Sequence, residues 1–107
     1  MVSAVQRDPI ELYPNLFQIF GGYLHQDWDL DYESPEAALR DAADGQGPDQ
    51  VDAAIEEIDG LLAGDLDPQE TIKIVARLTP GYSPVRDGWE IRPWLVHARS
   101  ILKSGLP

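Results

Sequence analysis

Apolar residues recur at the spacing of an α-helix in several parts of the chain, and this pattern dominates the sequence. It is clearest between Pro48 and Ala63, where one apolar stripe predicts a helix packed against a core. The stripe consists of Val51, Ala54, Ile55, Ile58, Leu61 and Leu62. Three shorter repeats predict further helices, in residues 15–24, 70–78 and 92–102. The strict alternation typical of strands is missing, although Val85–Trp89 has the composition for a brief strand pairing.

Local start signals mark where these helices begin. Ser34-Pro35 and Asp67-Pro68 each combine a capping side chain with a proline in the first helical turn. Asn15 is the predicted cap of the first long helix. The sequence therefore predicts an all-α fold, a small bundle of about five helices formed by residues 1–107 as a single domain.

The composition is that of one folded domain. The chain has 107 residues, of which 43% are hydrophobic and 25% charged, so it has enough apolar material for a core. It contains no cysteine, which excludes disulfides, thiolate catalysis and Cys-ligated metal sites. No segment has the pattern of a signal peptide or the length of a membrane span. We therefore expect a cytoplasmic protein that does not bind membranes.

The charge is strongly acidic and unevenly distributed. Asp and Glu number 19 against 8 Lys and Arg, giving a net charge of −11, so we expect no direct binding of nucleic acid. Residues 27–70 contain fifteen acidic residues and a single basic one, Arg40. Within the predicted central helix, four acids fall on one strip beside the apolar stripe: Asp49, Asp52, Glu56 and Asp59. Like charges at this spacing oppose helix formation by about 0.2–0.5 kcal/mol per pair.

Two interpretations of this strip remain open. It is either a solvated face that favours solubility, or an electrostatic recognition surface for a basic partner. In the second case, aromatic residues in predicted turns would supply part of the affinity. The candidates are Trp28, Tyr32, Tyr82 and Trp89. Trp94, on the apolar face of the last helix, is predicted to be a core residue.

Catalytic and metal-binding patterns have little support. Asp27, Asp29 and Asp31 alternate like calcium ligands, but an EF-hand loop from Asp27 would need Gly and Glu where Tyr32 and Ala38 stand. The two histidines, His25 and His97, lack zinc-site spacing. Glu56 and Glu57 are adjacent and so project about 100° apart on a helix. We predict no enzyme, no metal and no cofactor; a carboxylate- or metal-dependent hydrolase would need partly buried acids converging in a pocket.

Three segments together resemble small immunity proteins of bacterial contact-dependent growth inhibition systems. They are Phe20–Asp29 (FGGYLHQDWD), Ser34–Leu39 (SPEAAL) and Pro93–Leu95 (PWL). The resemblance implies a cytoplasmic protein that binds and neutralises the cognate toxin domain of a large surface-delivered protein. Because such toxins are often nucleases, it also implies a basic partner, in agreement with the charge.

We distinguish the residues that carry the resemblance from the residues predicted to bind the partner. We interpret the family motif residues as structural: His25, Gln26, Asp27, Trp28 and Trp94. The predicted partner-binding residues are the four acids of the strip, Asp49, Asp52, Glu56 and Asp59. The alternative function is an acidic helical adaptor or regulator that binds another basic protein. No particular oligomeric state is indicated.

Overall fold

The computed structural model describes residues 8–64 and 66–104, which form seven helices and no strand. The helices are α1 (Pro9–Leu12), α2 (Pro14–Tyr23), α3 (Trp28–Asp31), α4 (Pro35–Gly45), α5 (Pro48–Ala63), α6 (Pro68–Leu78) and α7 (Ile91–Ser104). Because α1 and α3 are single turns of 4 residues, the five longer helices carry the fold. The prediction of an all-α bundle of about five helices is confirmed.

Helix α5 lies at the centre of the packing and contacts both α2 and α7. Its predicted apolar stripe faces the core: Leu62 is half-buried and the other five residues are buried. Helices α5 and α7 run antiparallel, since Asp59 contacts Arg99 whereas Leu62 contacts Arg92. Phe20 of α2 and Trp94 of α7 are the largest buried side chains, and burying such a side chain stabilises the fold by about 1.5–3 kcal/mol.

Two of the predicted helix starts are confirmed by their capping bonds. The Ser34 hydroxyl accepts the backbone N–H of Ala37 at 3.1 Å, and the Asp67 carboxylate accepts that of Glu70 at 2.8 Å. Each bond satisfies a helix-end N–H that would otherwise lack a partner, which is worth about 1 kcal/mol. The proline that follows each cap opens the helix as predicted.

The predicted cap of α2 is wrong. The helix begins at Pro14, so Asn15 lies inside its first turn and Tyr13 occupies the N-cap position without a side-chain capping bond. The backbone N–H groups of Asn15 and Leu16, which have no acceptor within the first turn, donate to Glu57 of α5, which is distant in sequence. A local pattern could not show this, because the acceptor belongs to another helix.

The segment between α6 and α7 consists of turns. Backbone N–H groups of Asp87 and Trp89 both donate to the Pro84 carbonyl at 3.0 Å, and Gly88 has a positive φ of 93°. The expected strand pairing of Val85–Trp89 is therefore absent from this segment, because these hydrogen bonds fold it back on itself. None of the helices in the described ranges combines the length and apolar character that a bilayer crossing requires.

Helix α1 is attached to the bundle by an ion pair at its start. Asp8 caps α1 by accepting the Ile10 N–H at 3.0 Å, and its other oxygen lies 2.9 Å from an Arg77 guanidinium nitrogen on α6. The hydrogen bond from Arg77 and that from Ile10 both lower the pKa of Asp8. The pair is largely exposed to solvent, so it orients α1 more than it stabilises the fold.

Candidate functional site

The four acids predicted to bind a partner all lie on α5 and are all exposed. Their spacing places Asp49, Asp52, Glu56 and Asp59 along the outer side of the helix, away from the buried stripe. We call these four residues the acidic strip. Helix α5 contains no lysine or arginine, so no basic residue within the helix offsets the strip.

One member of the acidic strip, Asp59, is paired with a described basic residue. The Arg99 guanidinium of α7 donates from Nε to Asp59 Oδ1 at 2.6 Å and from Nη2 to Asp59 Oδ2 at 3.3 Å. The hydrogen bond with Asp59 raises the pKa of Arg99 further above its usual range. Within residues 8–64 and 66–104, no basic side chain forms an ion pair with Asp49, Asp52 or Glu56. The side chains of these three residues are exposed to solvent.

The inner side of α5 is fixed to the start of α2 by side chains that sequence reasoning missed. Glu57 accepts the Leu16 N–H at 2.7 Å and the Asn15 side-chain amide at 2.8 Å. Gln50, seven residues earlier, donates to the Asn15 side-chain oxygen at 3.1 Å. Residues seven apart share a helix face, so Gln50 and Glu57 together hold α2. The available signal was a helix start at Pro14 that lacks a capping residue of its own.

Four residues of the family motif, 25–28, form a turn that packs against the segment following α6. The Gly81 N–H donates to the Leu24 carbonyl at 2.9 Å, and the Trp28 indole Nε1 donates to the Gly81 carbonyl at 2.8 Å. Inside the turn, His25 Nδ1 accepts the Asp27 N–H at 3.1 Å. The side chains of Gln26 and Asp27 are exposed. These contacts support a structural role for His25 and Trp28, which stays a prediction.

An aromatic row continues from this turn into the core. Trp28 meets Tyr82 edge-on with ring centroids 5.8 Å apart, Tyr82 is 6.0 Å from Trp94, and Trp94 is 5.3 Å from Phe20. Trp94 is 1% exposed, as expected for a core residue. Burial raises the pKa of Tyr82, and its hydrogen bond to Asp87 adds to this effect.

The aromatic side chains expected to be exposed are half-buried. Trp28, Tyr32, Tyr82 and Trp89 all pack against the core. The Tyr32 hydroxyl donates to the Asp41 carboxylate, and this bond raises the pKa of Tyr32 to about 12. Trp89 stacks on His97 with centroids 4.9 Å apart and an interplanar angle of 20°. These four side chains are therefore less exposed than their predicted turn positions allowed, and their role as anchors stays a prediction.

The turn with alternating aspartates shows no arrangement suited to a metal. Asp29 and Asp31 belong to the single-turn helix α3, and Asp27 stands before it without a capping bond from its side chain. Across the described part of the chain, no group of three or more His, Cys, Asp or Glu side chains is placed to hold a metal ion.

These features define a small all-α protein with four exposed acidic residues along one helix. The chain matches the family model described as CdiI immunity protein over residues 12–102. It therefore belongs to the CdiI immunity protein family, and the resemblance noted in the sequence is confirmed. Proteins of this family neutralise the toxins of contact-dependent growth inhibition systems. No curated protein and no solved structure gives a significant match.

Proposed function

We propose that this protein neutralises a basic nuclease toxin by placing the acidic strip of α5 in the toxin's substrate cleft. Family membership supports the neutralising role, and the charge of the strip supports the nature of the partner. The observation that carries the proposal is the exposure of Asp49, Asp52 and Glu56 on one side of α5, without ion pairs to described residues.

The spacing of these carboxylates suits a surface that binds phosphates. A helix rises about 1.5 Å per residue, so the three carboxylates from Asp49 to Glu56 span about 10 Å, or about one charge per 5 Å. A nucleic-acid strand carries one phosphate per about 3.4 Å of helix axis. The two linear charge densities are of the same order. A cleft lined with lysine and arginine for phosphate binding would therefore attract the strip.

The strip is held in position before any partner arrives. The opposite side of α5 is buried in the core, Glu57 and Gln50 fix it to α2, and Asp59 is bonded to Arg99. Binding therefore requires little ordering of the backbone, and a preorganised surface retains more of its interaction free energy as affinity.

Association kinetics with the cognate toxin domain test whether the charge of the acidic strip drives binding. The Asp52→Lys/Glu56→Lys variant should slow association by about tenfold or more at low salt, because steering by charge changes association rates by about 10–1,000-fold. Its matched control is Asp29→Lys/Asp31→Lys, which changes the net charge equally on the exposed helix α3. Equal slowing by both variants, or a wild-type association rate that is insensitive to salt, would overturn the proposal.

An activity assay of the toxin domain tests whether it is a nuclease that this protein inhibits. Titration with this protein should abolish cleavage of RNA or DNA at a fixed stoichiometry, and the strip variant should need a higher concentration. A toxin domain that binds but has no nuclease activity would refute the assignment of its substrate.

A further inference from the structure

An apolar groove of about 350 Å³ lies where the first turns of α6 and α7 meet the turn segment between these helices. Ile72 of α6, Val85 and Trp89 of the turn segment, and Pro93 of α7 contribute to its walls. Pockets that bind small molecules measure about 300–1,000 Å³, so this groove lies at the lower end of that range. Val85 is 43% exposed, which leaves part of the wall open to solvent.

The walls of the groove are fixed from behind. Trp89 stacks on His97, and His97 Nε2 lies 3.1 Å from a Glu36 carboxylate oxygen on α4. Arg92 also lines the groove, but its guanidinium donates to the Leu62 carbonyl of α5. A rigid, preformed apolar pocket is the usual receptor for an anchoring side chain of a protein partner.

One exposed carboxylate, that of Glu90, contributes a negative charge at the groove. Glu90 lines the groove and is exposed, and among the described residues no basic side chain forms an ion pair with it. Among the described residues that line the groove, only Arg92 is basic, and its guanidinium is bonded to the Leu62 carbonyl. The arrangement suits a bulky apolar side chain with a lysine or arginine beside it.

The groove is connected to the acidic strip through α5. Leu62, which receives the hydrogen bond from Arg92, follows Asp59 by three residues, or about 4.5 Å along the helix. Asp59 is in turn bonded to Arg99, seven residues after Arg92 on α7. One globular partner is large enough to contact both surfaces, since a typical interface buries about 800 Å² per partner.

We propose that the groove is a second contact region for the same toxin, which inserts a bulky apolar side chain flanked by a basic residue that pairs with Glu90. This inference rests on the proposed function. The two regions have different roles: the strip accelerates association through long-range charge, and the groove slows dissociation through apolar burial.

Dissociation kinetics of the toxin complex test the groove. Val85→Glu places a charge on the apolar wall and should accelerate dissociation by about tenfold or more, with a small effect on association. Val96→Glu is the matched control, because Val96 is 53% exposed on α7 and is not part of the groove lining. Glu90→Lys should also accelerate dissociation. Urea unfolding of each variant establishes that it is folded.

Nuclear magnetic resonance of the indole N–H groups gives a readout that needs no substitution at the groove. Adding the toxin domain should shift the Trp89 signal. The Trp28 signal, whose N–H is bonded to Gly81, should move less.

The outcomes separate this inference from the proposed function. One outcome is that the Val85→Glu and Glu90→Lys variants dissociate from the toxin like the wild type, while the strip substitutions still weaken binding. This outcome would overturn the groove contact and leave the proposed function intact. Absence of any complex between the wild-type protein and the toxin would overturn both.

Discussion

Replacing Gly81 with alanine should destabilise the protein far more than a single added methyl group suggests. A Cβ atom at this position would lie 1.9 Å from the His25 carbonyl oxygen and 2.2 Å from its carbon. Both are backbone atoms, so no side-chain rotation relieves the clash. The family motif turn would have to move away from the end of α6.

The cost follows from what that movement breaks. Overpacking in a close contact costs about 1–3 kcal/mol. Separation also weakens two hydrogen bonds, from Gly81 to the Leu24 carbonyl and from Trp28 to the Gly81 carbonyl. Each contributes about 0.5–1.5 kcal/mol. The expected loss in the free energy of unfolding is therefore about 2–6 kcal/mol, a large share of the roughly 5–15 kcal/mol typical of a folded protein.

Urea unfolding followed by circular dichroism measures this loss. With a denaturant slope of about 1–3 kcal/mol per molar, the midpoint should fall by about 1 M or more. Gly60→Ala is the matched control: Gly60 is exposed in α5, its Cβ would meet nothing within 4 Å, and alanine favours the helix by about 1 kcal/mol. A Gly81→Ala protein within about 0.5 kcal/mol of the wild type would refute the reasoning.

Two further predictions concern side chains with defined partners. Glu57→Ala should lower the free energy of unfolding by about 1.5–3 kcal/mol, because it removes a charged acceptor from the start of α2. Its control, Glu56→Ala, should leave stability unchanged and weaken toxin binding. Equal unfolding midpoints for the two variants would contradict the capping role of Glu57. Tyr32, with its pKa raised to about 12, and Tyr82, with a pKa raised by burial and Asp87, should ionise later in the folded protein than in urea, where tyrosine titrates near pH 10. Since both hydroxyls are neutral below that pH, their stabilisation is present there and is lost as the pH rises through the folded pKa values. Phenolate absorbance measures this delay, and Asp41→Ala or Asp87→Ala variants that keep the full delay would contradict the assigned hydrogen bonds.

Features that depend on neighbouring residues were predictable from the sequence. The Ser34 and Asp67 caps act within three residues of themselves, so their pattern in the chain is also their geometry. The apolar stripe of α5 was equally accessible, because helical periodicity alone determines which residues share a face. The same periodicity puts the four acids of the strip on one side of α5, where all four are exposed, and their role in binding stays a prediction.

Features that join distant parts of the chain were not predictable. Glu57 lies 41 residues from Leu16, and the helix start at Pro14 without a capping residue indicates only that an acceptor is needed, not that Glu57 supplies it. Gly81 follows Pro80 in a Pro-Gly pair typical of a turn, but its close approach to His25 depends on how two turns meet. The bond between Asp59 and Arg99 likewise requires the antiparallel packing of α5 against α7. Each of these contacts is a consequence of tertiary packing.

Adjacent glutamates on α5 have different surroundings. Glu57 is half-buried and accepts hydrogen bonds from the start of α2, while Glu56 is exposed in the acidic strip, because neighbouring helical positions point about 100° apart. Charge on the outer side can therefore change with little effect on folding, since exposed substitutions usually alter stability by less than about 0.5 kcal/mol. If the acidic strip binds the toxin as proposed, substitutions there alter binding while the buried stripe and Glu57 keep the bundle intact. The two glutamate variants should then differ in kind: Glu57→Ala loses stability, whereas Glu56→Ala loses affinity for the toxin.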